Sequence, residues 1–157
     1  METRHTNRLH EWDYRTNGAY FVTFCTQNRR CVLWDAVGAT LGRPPLSAVG
    51  CIVEREINNI STFYPNAHVD KYVIMPNHVH LIIILENTPC IDGRPRVAPT
   101  VSQIIQQTKG KITKQAGFHL WQRSFHDHII RNTTDYLNIW NYIDTNPLKW
   151  TNDCYYN

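Results

Sequence analysis

Two histidines one residue apart, His78-Val79-His80, open the run His78 to Leu85 (HVHLIIIL). In a strand, residues i and i+2 share a face, so both imidazoles would point the same way while Val79 turns to the other side. Two neutral imidazoles in that arrangement can share one divalent cation. Two half-exposed histidines at a strand end give the same spacing. A second triplet, His126-Asp127-His128, suits a sheet less well, because a strand would send Asp127 to the opposite face, where a core would bury it. It reads as a polar or hydrogen-bonded surface segment rather than a metal site. The third feature is a helix ending near Pro147, with an apolar stripe of Tyr136, Ile139, Trp140 and Ile143. At about 100° per residue, Tyr142 lies roughly 110° from the middle of that stripe, on the flank. Asn146 is one turn further on the same side. The pair offers a phenol and an amide oxygen to whatever lies beside the helix, although an ordinary half-buried tyrosine fits the pattern too.

These groups need elements to hold them. Ala19 to Gln27 (AYFVTFCTQ) is aromatic and β-branched and predicts a strand. Arg29-Arg30 interrupts it, and Cys31 to Trp34 resumes an extended pattern. Gly38 to Pro45 is loop by composition. Apolar spacings of three and four predict a helix over 46–64, stopped by Pro65. Ala67–Met75 and His78–Leu85 predict a hairpin broken by Pro76-Asn77, the second strand buried on both faces. Asn87 to Pro99 is loop, 100–115 predicts a helix with a basic second half, and 118–130 has room for a short strand. Asn132 or Thr133 caps a last helix to Asn146. This order predicts an α+β, ferredoxin-like (RRM-like) antiparallel sheet with packed helices. The Gly-rich phosphate signatures of nucleotide-binding folds are absent.

The chain has 157 residues, which fits a single domain, with residues 1–18 as a polar, basic N-terminal arm. Its 42% hydrophobic and 18% charged residues indicate a folded protein, and the net charge of +3 permits a polyanionic partner without demanding one. No apolar run is long enough to span a bilayer, and no apolar segment follows Met1, so neither a membrane span nor a secretory signal is expected. Five dispersed cysteines without a CxxC suit reduced thiols in a cytoplasmic protein. Collagen-like, coiled-coil and disulfide-knot classes are excluded. Charge is concentrated between Arg94 and Arg131, where Arg94, Arg96, Lys109, Lys111, Lys114, Arg123 and Arg131 face one acid, Asp127. That local excess suits DNA phosphate contacts, or simply a solvated basic helix face. Trp121 and Phe125 within it have the chemistry to stack on bases, although core packing is the commoner fate of such rings.

The segment KYVIMPNHVHLIII resembles the His-hydrophobic-His motif of the single-tyrosine HUH transposases. WQRSFHDHIIRNTTDYLNIWNYIDTNPLKW is similar to the C-terminal signature of their REP-associated branch, as are GRPP, GRPRVAPT and TVSQIIQQTKGKITK. The resemblance runs from about Asn17 to about Trp150. It implies that His78 and His80 bind a catalytic Mg²⁺ or Mn²⁺, with Asn146 as third ligand and Tyr142 as nucleophile; Tyr136 is the rival, on the apolar stripe. It further implies single-strand DNA cleavage through a 5′-phosphotyrosine link with a free 3′-OH, and strand transfer on single-stranded or hairpin DNA; a cytoplasmic location is expected, nucleoid-associated if the source is bacterial. The histidines would also accept Zn²⁺ or Ni²⁺. Both a monomer and a homodimer, the latter with Tyr142 serving the partner's metal, are compatible. Three other readings stay open. They are a nucleic-acid-binding module without chemistry, an inactive domesticated transposase that still binds hairpin DNA, and a phosphodiesterase using the histidine pair and water. HVHLIIIL lacks the aromatics of an RRM-type module.

Overall fold

The computed structural model describes residues 18–35, 45–86 and 99–152. The aromatic, β-branched N-terminal run forms β1 (Gly18–Cys25), whose Tyr20, Val22 and Phe24 alternate into the core. β1 stops two residues earlier than the composition predicts: Thr26 makes an isolated bridge to Trp121, and Gln27–Arg29 winds into a 3₁₀ turn. The extended segment expected over 31–34 is reduced to one bridge, Trp34 to Leu46.

The helix expected over 46–64 is two helices, α1 (Ala48–Asn58) and α2 (Ile60–Phe63). The break falls at the Asn58-Asn59 pair, residues whose side chains compete for backbone hydrogen bonds. Ser47 caps α1 by accepting from the Gly50 N–H at 3.0 Å. β2 (Ala67–Ile74) and β3 (His78–Leu85) form the expected hairpin. Thr100 and Gln103 close a capping box on α3 (Val101–Ala116), which ends at Gly117 with φ +81°. His126–Ile130 forms β4, so the His-Asp-His triplet does lie in the sheet, against expectation. β4 is an edge strand, and Asp127 stands opposite Val22 on the helix-packed face with its carboxylate oxygens buried. α4 (Thr133–Thr145) begins at an Asn132 cap and runs into a 3₁₀ turn, Asn146–Asn152.

The sheet order is β2-β3-β1-β4, every pair antiparallel, which is the ferredoxin-like α+β plan. Paired residues share a face. Tyr20, Val22, Val79, Leu81 and Ile83 pack under α1, α2 and α3 through Val53, Ile57, Ile60, Ile104, Ile105 and Ile112. The opposite face carries His78, His80 and Ile82 on β3 and Phe21 and Thr23 on β1, and α4 crosses it with Ile143 buried and Ile139 and Trp140 beside it. Among the described residues, no helix is long and apolar enough to cross a membrane.

Gly50 is where α1 meets the loop before it. A Cβ there would collide with the Leu33 carbonyl oxygen, which also accepts from the Ser47 N–H at 3.0 Å. Gly50→Ala should therefore destabilise by about 2–3 kcal/mol despite alanine's better helix propensity, read as a lowered urea midpoint at unchanged slope.

Candidate functional site

β3 starts at the buried turn Met75-Pro76-Asn77, whose Met75 N–H bonds the His78 carbonyl at 2.8 Å. This fixes which residue of β3 faces which side. Val79 goes into the helix-packed core, and His78 and His80 go to the face under α4, their ring centroids 4.5 Å apart. Neither is half-exposed, as a strand end would suggest: His78 is 0% and His80 1% exposed.

Each imidazole is oriented by a neighbour that sequence reasoning missed. His78 Nδ1 lies 2.8 Å from Asn77 Oδ1, which can only accept, so Nδ1 carries the proton and Nε2 its lone pair. His80 Nδ1 lies 2.6 Å from the Thr23 hydroxyl, directly opposite on β1. Such partners hold a ligating histidine's ring in place. Asn77 stands beside the motif and was findable. Thr23 is 57 positions away and is found only through the β1–β3 register.

Burial pushes the His78 pKa down to about 3, and the nearby Arg29 charge adds to the effect. His78 is thus the neutral imidazole a cation requires. Arg29 belongs to the turn after β1, where Asn28 (φ 54°) and Arg29 (φ 52°) both adopt left-handed backbone. Two such non-glycine residues cost roughly 1–3 kcal/mol each and cluster at functional sites. The Arg29 carbonyl accepts from Asn77 Nδ2 at 3.3 Å, which ties this turn to His78.

α4 brings Tyr142 over the pair. Its hydroxyl is 3.4 Å from His80 Nε2, its ring meets His80 and Phe21 edge-on, and it is 40% exposed, on the flank as the helical wheel predicts. Tyr136 points elsewhere: its hydroxyl bonds Asp70 on β2, and that bond above all raises its pKa. Asn146, one turn beyond Tyr142, is 3% exposed, and its Oδ1 is buried without a hydrogen-bond partner. A buried carbonyl oxygen of that kind is costly unless something binds it. Trp150, in the turn that follows, lies tilted against the His78 ring at 5.8 Å. Among the described residues, no three His, Cys, Asp or Glu side chains form a metal cluster. The donor set of two imidazoles and an amide oxygen fits a divalent cation with further positions left for substrate oxygens.

The basic residues do not form one stripe. Arg94 and Arg96 lie outside the described residues. Lys109 is buried, donates to the Gln122 and Ser124 carbonyls at 2.6 and 3.3 Å, and is pushed down by burial to about 8. Lys111 sits over the Phe63 ring at 3.2 Å. Lys114 and Arg123 are exposed, and exposed Arg131 follows β4 at the sheet end opposite His78. Trp121 packs edge-on against Phe24, and Phe125 is buried, so neither presents a face for stacking on bases.

A ferredoxin-like sheet with a histidine pair on an inner strand, a helix-borne tyrosine above it and a helix closing the face defines the class; an RRM-type module would keep that face open. No family model matches the chain. An uncharacterized protein of Haemophilus influenzae is 34% identical over 171 aligned positions, covering 98% of this chain and 93% of its own. The REP-associated tyrosine transposase of Escherichia coli K12 is 32% identical over 137 positions, covering 87% of this chain and 70% of its own. The chain belongs to the REP-associated tyrosine transposase family. A solved REP-associated tyrosine transposase bound to a REP hairpin has the same fold, with a TM-score of 0.64 at 23% identity over 91% of this chain and 74% of that one.

The folded-state pKa of His78 lies below its unfolded value, so between pH 6.5 and about 3 the unfolded chain binds the extra proton. Stability from this group is complete above pH 6.5 and is lost as pH falls through that window. The urea midpoint should drop from pH 7 to pH 4, and His78→Phe should flatten the drop.

Proposed function

We propose that the protein is a metal-dependent single-strand DNA endonuclease and strand transferase acting on hairpin DNA, with Tyr142 as nucleophile and His78, His80 and Asn146 as metal ligands. The observation that carries this reading is the Tyr142 hydroxyl at 3.4 Å from His80 Nε2, on a helix-flank residue that is 40% exposed. Family membership supports the DNA-processing role, and the hairpin bound by the structural neighbour supports the substrate class.

A DNA phosphodiester resists attack because it is anionic and its leaving alkoxide is poor. A bound Mg²⁺ or Mn²⁺ supplies charge neutralisation at a non-bridging oxygen. The chain's own groups do the rest. Asn77 Oδ1 holds His78 in the tautomer whose Nε2 binds a cation, and the Thr23 hydroxyl orients the His80 ring. Tyr142 Oη forms the new bond to phosphorus as its proton leaves to solvent, and the 3′-oxygen departs and is protonated by water. The phosphotyrosine keeps the energy of the broken bond, so a 3′-OH can attack it and free Tyr142 without ATP. The α4 cover keeps bulk water off the histidines while the exposed Tyr142 edge admits the strand.

Incubation of a labelled DNA hairpin with Mn²⁺, followed by a denaturing gel, should trap a protein-linked 5′ product. Tyr142→Phe should abolish it at a stability change of about 1 kcal/mol or less, with DNA binding kept. Tyr136→Phe should still form the adduct. An adduct in Tyr142→Phe that is lost in Tyr136→Phe would reverse the assignment. His78→Phe, which fills the buried volume, should remove cleavage just as chelation does. Adduct formation unchanged by His78→Phe or by chelator would exclude the metal site.

A further inference from the structure

α4 rests on the sheet along Ile139 and Ile143. At about 100° per residue, Tyr142 lies about 80° round the helix from that row, and Tyr136, Trp140 and Asp144 lie on average about 80° to the other side. The two flanks meet different strands. Tyr142 meets His80 of β3 and Phe21 of β1, while Tyr136, Trp140 and Asp144 all meet one dipeptide of β2, Asp70-Lys71.

In a regular strand the side chains of Asp70 and Lys71 would point to opposite faces. β2 is not regular there. Val69 pairs with Ile83 and Lys71 with Ile82, so Asp70 is an extra residue, a β-bulge in an edge strand. A bulge re-aims side chains. Here it gives α4 both residues. Asp70 accepts from the Tyr136 hydroxyl, and the Lys71 ammonium lies 3.8 Å from the Trp140 ring centroid and 2.7 Å from Asp144 Oδ1. Trp140 and Asp144 are one turn apart, so a single ammonium holds two turns of the helix on the flank away from Tyr142.

We infer that Lys71, brought onto this face by the bulge, is a positioning residue for Tyr142: it sets the roll of α4 about its Ile139–Ile143 row, and so the placing of the hydroxyl against the histidine pair. The inference rests on the reading of Tyr142 as nucleophile. A roll that lifts the Trp140 flank lowers the Tyr142 flank. At a side-chain radius of about 5–6 Å, a roll of about 10° moves an atom by about 1 Å. A misplacement of that order can cost about a hundredfold in rate. The contact itself sets a lower ceiling, because an interaction that only biases a helix position slows the reaction by no more than its own equilibrium factor. For a part-exposed ion pair together with a cation–π contact, that factor is roughly three- to thirtyfold.

The test follows adduct formation by the full chain on a labelled DNA hairpin with Mn²⁺, in single turnover and over a range of protein concentrations. Circular dichroism checks that each variant is folded. Lys71→Met keeps the apolar stem and removes the charge. It should lower the saturating rate roughly three- to thirtyfold and leave the half-saturating concentration unchanged. Lys71→Arg, which keeps a cation able to lie over Trp140 and pair with Asp144, should restore most of the rate. Asp144→Asn added to Lys71→Met should slow the reaction no further, because both remove the same contact. An unchanged saturating rate in Lys71→Met, a loss confined to the half-saturating concentration, or a loss that Lys71→Arg does not restore would overturn the inference, while the wild-type adduct leaves the proposed function standing. A wild type that forms no adduct would instead overturn the proposed function and this role with it.

Discussion

The register of β3 against β1 is the constraint on which the rest depends. With His80 opposite Thr23 and His78 opposite Cys25, both imidazoles lie under α4 and Val79 lies in the core. A slip of one residue would invert every side chain of β3, burying two imidazoles among isoleucines and turning Val79 out. The β2–β3 hairpin fixes that register from one side through the Met75 to His78 bond, and Tyr20, Val22 and Phe24 fix it from the other. The Thr23 hydroxyl reads the same register, because it meets His80 Nδ1 only when the strands are aligned. Fold and site geometry are therefore set by one pairing.

The tyrosine is positioned by weaker means. Ile143 alone among the α4 residues is fully buried, whereas α3 buries six. Beyond Tyr142 over His80 and Phe21, and Ile139 and Trp140 beside Ile143, α4 is tied at the sheet edges by polar contacts. Lys71 lies over the Trp140 ring and 2.7 Å from Asp144, Tyr136 bonds Asp70, and His128 pairs with Asp135 at 2.7 Å. Exposed polar pairs of this kind each contribute little. The histidines thus sit on a strand buried along nearly its whole length, and the tyrosine on a helix with a single fully buried residue.

Much of this was legible in the residues. The aromatic alternation of β1, the Pro-Asn break before β3 and the apolar spacing of α3 each agree with the observed element. The helical wheel put Tyr142 on the flank, where it is found. What stayed hidden depends on pairing and tertiary contact. The β4 triplet looked unsuited to a strand because Asp127 would turn toward the core, and it does so, opposite Val22, in surroundings that only the folded sheet supplies. Lys109 looked like a phosphate contact because its two carbonyl partners, 13 and 15 residues on, come near it only when the chain between them folds back onto α3. Arg29 looked like an interruption because a left-handed turn is not visible in its residue type.

Trp150 gives the C-terminal turn a say in acidity. Its ring against His78 helps exclude water from the imidazole, and burial is the first cause of the lowered pKa. Under the proposed function a proton and a cation compete for the same lone pair. An aromatic residue 72 positions along the chain thereby extends downward the pH range over which the cation wins.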